Sequence, residues 1–146
     1  MKKLALAFVL GAFLMACGED ETITIDSSMP QGEFTVSESG SFMAQNDTGS
    51  KGMVQVGSDS EGTNFIKFGS DFETVLATGT VAVFLSTSNE AMFDPGNGNP
   101  DVALIGNVSS NGEQYFKLDA APAAKYTHVI LWCASAGIPF GYAEIQ

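Results

Sequence analysis

Eight short apolar or alternating runs, each four to eight residues long, follow one another from Gly32 to the end of the chain. They lie at Glu33–Val36, Met53–Val56, Asn64–Phe68, Thr80–Leu85, Val102–Val108, Gln114–Leu118, Thr127–Cys133 and Ile138–Ile145. The breaks between them include Asn46-Asp47-Thr48-Gly49, Gly57-Ser58-Asp59, Asn111-Gly112 and the long Asp94–Asp101 loop. Runs of this length bounded by Gly, Asn, Asp and Pro are strand signals, and no apolar stripe recurs at helical spacing over a useful length. The chain therefore predicts an all-β fold: an antiparallel β-sandwich or jelly roll of about eight to ten strands. It forms a single domain over residues 32–146, without internal repeats. Thr127–Cys133 is apolar on both faces, which is the pattern of a central strand.

Ahead of that domain the composition changes. Lys2-Lys3, an apolar stretch from Leu4 to Ala16 and small residues before Cys17 read as a secretory signal over residues 1–16. The stretch is too short to cross a bilayer as a helix. Leu14-Met15-Ala16-Cys17 resembles the lipobox of bacterial lipoproteins, in which the cysteine sulfur receives a diacylglyceryl group and the mature chain starts at that residue. Acyl chains such as palmitate then provide the membrane anchor. Residues 17–31 read as an extended tether, with Pro30 blocking regular structure. Gly18-Glu19-Asp20-Glu21 resembles the acidic tags of surface-exposed lipoproteins in Bacteroidetes-type bacteria, and a plain solvated tether reads equally well. The expected address is the cell envelope, as an outer-membrane lipoprotein, with display outside the cell left open.

Cleavage before Cys17 would remove Lys2 and Lys3, so four lysines would face 17 acidic residues, a formal charge of −13. A surface of that sign repels phosphate backbones, so nucleic acid is not an expected partner. It also repels anionic headgroups, leaving membrane attachment to the lipid. The absence of arginine removes the usual bidentate grip on carboxylates and phosphates.

Five pieces of sequence, in order and in register, resemble the electron-transfer DM-thirteen domain family. Gly32-x-Phe34 is similar to its opening, and Phe68-x-x-Asp71-Phe72 to its next element. Val81-x-Val83-Phe84-Leu85-Ser86 is similar to its middle strand. Ile105-Gly106-x-Val108 with Gly112-x-Gln114-x-Phe116 is similar to its hairpin. Tyr126-x-x-Val129-x-Leu131-Trp132-Cys133 and Ile138-x-Phe140-Gly141-x-Ala143 are similar to its closing strands. The resemblance covers about residues 32–146. It implies a sandwich related to DOMON domains, with a redox role attached to the cysteine and so to Cys133 and its neighbour Trp132. Two positions depart from the pattern. Thr78-Gly79-Thr80 stands where the family has Gly-Pro-Asp, and Ala136 replaces an aromatic residue three positions after the cysteine.

With Cys17 acylated, Cys133 is the thiol left to the mature chain, and no internal disulfide can form. Its strand is apolar and Lys125 is eight residues away, so local physics alone reads an inert core thiol whose pKa burial raises. The resemblance reads the same residue as the redox candidate. His128, the single histidine, lies on the opposite strand face with Tyr126, Ile130 and Trp132. A blue-copper set of two histidines and a cysteine therefore cannot be assembled within one chain, and a structural zinc site fails on the same count.

The sequence requires no cofactor. The alternative is non-covalent haem held by His128 with one of Met29, Met43, Met53 or Met92. Asp94, Asn97, Asn99 and Asp101 are the calcium candidates, although Gly96 falls where the EF-hand pattern needs its second ligand, and long sandwich loops use the same residues. No hydrolase arrangement, nucleophile elbow or phosphate-binding glycine loop occurs. Two functional classes remain: a redox accessory with a redox protein partner and no independent catalysis, or a structural or ligand-binding module. Oligomeric state is not legible.

Overall fold

Along Asn64–Phe68 the side chains alternate as a strand requires: Ile66 and Phe68 enter the core while Lys67 faces outward. The same rule organises the rest of the computed structural model, which describes residues 26–146. Nine strands occur in chain order. These are β1 (Thr35–Ser41), β2 (Met43–Ala44), β3 (Met53–Ser58), β4 (Asn64–Phe68), β5 (Val81–Ser86), β6 (Val102–Asn107), β7 (Gln114–Leu118), β8 (His128–Cys133) and β9 (Ile138–Glu144). One 3-10 turn, Pro95–Asn97, lies in the loop before β6. A four-stranded antiparallel sheet, β1-β3-β4-β7, packs on a five-stranded one, β2-β9-β8-β5-β6. The fold is the expected all-β sandwich, and β8 is central between β5 and β9.

The core lies between the sheets. Val54, Val56, Ile66, Phe68 and Phe116 come from one sheet; Val81, Val83, Val129, Leu131 and Cys133 come from the other. Phe42 sits where the chain crosses from β1 to β2, its ring 5.0 Å from Phe68 and 5.5 Å from Phe72. On the far side of β4, Phe65 is also fully buried, beneath Tyr115, which Phe34 abuts in turn. The first strand stitches the two sheets together. Ser39 and Gln146 exchange backbone hydrogen bonds of 3.0 and 3.2 Å, and a side chain at Gly40 would collide with the Glu144 carbonyl.

Several sequence expectations shift. The first strand occupies Thr35–Ser41 rather than Glu33–Val36, and β2 is a two-residue strand without an apolar run of its own. Gly57 and Ser58 complete β3, so that turn is made by Asp59–Gly62. Residues 26–31 are not simply extended. The Met29 N–H donates to the Asp26 carbonyl in a turn, and the Gln31 N–H donates to the Asp59 carboxylate at 2.9 Å. The signal over residues 1–16, Cys17 and the tether up to residue 25 lie outside the described residues. No helix among those described is long and apolar enough to cross a membrane.

Candidate functional site around Cys133 and Trp132

Alternation along β8 divides its side chains between two environments. Val129, Leu131 and Cys133 enter the core, while His128 and Trp132 are half-buried on the outer face of the five-stranded sheet. A bulge between Leu131 and Trp132 shifts the pairing with β9 but leaves that division intact. His128 and Cys133 therefore do not converge.

Cys133, the free cysteine of the described residues, has no exposed surface. It ends β8, paired with Val81 and Ile138. The turn that follows, Ala134–Gly137, is exposed at every residue. Its geometry comes from Gly137, which has a φ of 67° and whose N–H donates to the Cys133 carbonyl at 2.8 Å. That backbone is strained for any residue with a Cβ. The Ala134 N–H in turn donates to the Thr80 carbonyl at 3.2 Å.

These contacts bring Ser135 over the sulfur. Its Oγ lies 3.3 Å from Cys133 Sγ and donates to the Thr78 carbonyl at 2.9 Å. A serine hydroxyl carries one proton. While that proton goes to Thr78, the thiol is the donor in the Sγ–Oγ contact; when the sulfur ionises, the hydroxyl can rotate and donate to it. Hydrogen bonds from the Ser135 and Thr78 side chains hold the thiol below its ordinary pKa against the opposing effect of burial, and the Ala136 and Ser135 backbone adds to the lowering. The sequence expectation of a raised thiol pKa is thus overturned in its net direction: burial does push the pKa up, but the hydrogen bonds outweigh it. Among the described residues no cation is a cause of this lowering; neutral donors from the turn and from the loop before β5 produce it.

Trp132 faces away from the thiol. Phe93, from the loop after β5, lies over it with ring centres 5.0 Å apart and also contacts Phe84 at 5.3 Å. The loop is fastened by Ser86, a fully buried serine whose Oγ donates to the Glu90 carbonyl at 3.0 Å.

The remaining candidates are distributed differently. The His128 Nδ1 lies 2.8 Å from Thr127 Oγ1, and its ring centre is 6.1 Å from that of Tyr142. Met43 is the cross-strand partner of Tyr142 and so lies on the His128 sheet, whereas Met53 belongs to the four-stranded sheet and Met29 to the N-terminal turn. Met92 lies in the loop beside Phe93. Asp94, Asn97 and Asn99 do come together, but their oxygens bond within the loop. Asn97 Nδ2 donates to Asp94 Oδ2 at 2.7 Å, and the Asp94 N–H donates to Asn99 Oδ1 at 2.7 Å. Asp101 contributes its carbonyl to the Thr87 N–H. Among the described residues no three of His, Cys, Asp and Glu cluster as a metal site.

Sequence reading missed Ser135 and Asp59. For Ser135 a signal existed: Thr78-Gly79-Thr80, the stretch where the family pattern is broken, supplies the carbonyls that hold the turn over Cys133. Asp59 lines a cleft of about 420 Å³ with Ser27, Met29, Gln31, Glu61 and Lys117, at the end of the sheet where β3 passes into β4. Its carboxylate accepts from the N–H groups of Gln31, Glu61 and Thr63 and is held below the usual carboxylate range, chiefly by Gln31.

A family model described as Electron transfer DM13 matches residues 41–145, so that Gly32-x-Phe34 precedes the matched span. No curated protein and no solved structure matches the chain.

Proposed function

Because the chain belongs to the Electron transfer DM13 family, we propose that it is a non-enzymatic redox accessory whose working group is the Cys133 thiol. The observation that carries this reading is the set of neutral donors at the sulfur, which favours the thiolate, the reactive form of cysteine. The four exposed residues of the turn are the cover that must open, and Ala136 gives that cover no aromatic ring. In the exchange, the Cys133 thiolate attacks one sulfur of a partner disulfide. The partner S–S bond breaks, a mixed disulfide forms, and the second partner sulfur leaves as a thiolate; the reverse step returns the electron pair. The same proposal includes anchoring at Cys17 in the outer membrane.

Thiol trapping in the cell tests the redox reading. Cys133 should change state with the redox condition of the envelope, and Cys133→Ser should keep its circular dichroism spectrum while losing that response. An ultraviolet-visible spectrum and metal analysis of natively purified protein test for a bound chromophore. Intact-mass analysis of the membrane fraction tests the anchor: acyl mass on a chain starting at Cys17 supports it, and unchanged anchoring of Cys17→Ser removes it.

One observation favours the second reading, a structural or ligand-binding module: Cys133 packs within the sandwich core. A sulfur that resists alkylation in the native fold, never changes state in the cell and affects only the melting temperature when replaced assigns it to that role.

A further inference from the structure

The outer face of the five-stranded sheet is poor in charge and carries exposed apolar side chains. Its five strands contain a single formally charged residue, Glu144, in a chain with 23 Asp, Glu, Lys and Arg. Leu104 is 63 % exposed, Met43 58 %, Met92 52 % and Phe93 40 %. The apolar groups form a connected row. Leu104 pairs across strands with Phe84, Phe84 meets Phe93, and Phe93 meets Trp132. Contiguous exposed apolar surface with a polar rim marks an interaction site.

The rim is acidic. Glu90 and Asp94 flank Phe93 in the loop, Asp101 precedes β6, and Glu144 ends β9 beside His128; all four acids are exposed. Lys125 is the base nearby, and its Nζ donates to the Pro100 carbonyl and lies over the Tyr126 ring. The four-stranded sheet differs in kind, carrying Lys67 and Lys117 in its strands. A second copy docking face to face would set acid against acid, and an anionic membrane would meet the same repulsion.

We propose that this face docks a protein partner with an apolar patch ringed by lysine or arginine. The acidic rim steers the encounter, and Leu104, Phe93 and Trp132 form the buried centre. The contact is transient, at or below about 1,200 Å² in total, as encounters between redox proteins are. The proposal rests on the redox reading and names the partner's class. Docking there seats the partner on Trp132, one residue along β8 from Cys133 and on the sheet face opposite the thiol side chain.

A c-type cytochrome with a lysine-ringed haem edge serves as the probe, titrated at low ionic strength into the domain and followed by amide exchange and calorimetry. Protection should fall on β6 and the loop containing Met92 and Phe93, and affinity should drop as salt rises. Leu104→Ser, at an exposed site with little effect on the fold, should weaken binding about tenfold. Val36→Ser, on an exposed residue of the four-stranded sheet, should leave binding unchanged. Absence of binding, protection on the four-stranded sheet, or equal losses from both substitutions overturns the proposal. So does a dimer, or binding to anionic vesicles, that Leu104→Ser abolishes. Cys133→Ser should bind normally, so a redox-silent thiol with intact docking separates loss of the redox reading from loss of this one.

Discussion

One hydroxyl proton governs the chemistry available at Cys133. Ser135 shares it between the Thr78 carbonyl and the sulfur, so Ser135→Ala removes the largest influence lowering the thiol pKa. Alkylation at a fixed neutral pH should then slow, and the pH profile should move upward, while Ser135→Thr keeps the hydroxyl and restores much of the rate. The linkage to stability has a definite sign. Folding lowers the pKa, so the associated stabilisation is fully present above the ordinary thiol range and is lost as pH falls through the folded-state value. Denaturant midpoints compared with those of Cys133→Ser, from neutral pH to about pH 10, should show that difference growing with pH.

Individual elements show what patterning can and cannot reveal. The Asn64–Phe68 and Gln114–Leu118 strands match their sequence runs residue for residue: Gln114–Leu118 ends in an alternation of buried and exposed residues, and Asn64–Phe68 is a short apolar run buried on both faces through Phe65 and Ile66. β1 departs from its expected span because its polar residues lie at a sheet edge, where hydrogen bonding to β3 rather than burial holds the strand. Ser135 is hard to read for another reason: the carbonyl that holds it over the sulfur is Thr78, 57 residues away, so the broken family pattern at Thr78–Thr80 marks the place but no local pattern joins the two. Phe93 lies outside every strand the sequence predicts, and its packing on Trp132 is not legible from the run that contains it. Phe93→Ala should lower stability by about 1 kcal/mol and shift the emission of the single tryptophan to longer wavelength. The N-terminal turn depends on Asp59, whose folded-state pKa is lowered. Its contribution is present above the unfolded carboxylate value and disappears as pH falls through the folded one. Asp59→Asn should accelerate amide exchange at Gln31, Glu61 and Thr63 at neutral pH, as strong acid does in the unaltered protein.

At the scale of the whole molecule, the two sheets share one continuous core, so the sandwich should unfold as a unit. Leu131→Ala, which empties a fully buried site on β8, should cost about 2–5 kcal/mol and lower the single transition measured by calorimetry.

The double role of β1 has a mechanical consequence. A pull on the domain from its N-terminal side is first borne by the Gln31–Asp59 contact, which acts as a strain relief. Tension reaches β1 only after that contact and the Gln31–Ser60 and Glu33–Ser60 hydrogen bonds beside it yield. That strand cannot peel from β3 without also tearing the Ser39–Gln146 pair from the margin of the opposite sheet. Force would therefore be distributed into both layers at once, leaving the β8–β9 turn over Cys133 outside the loaded path.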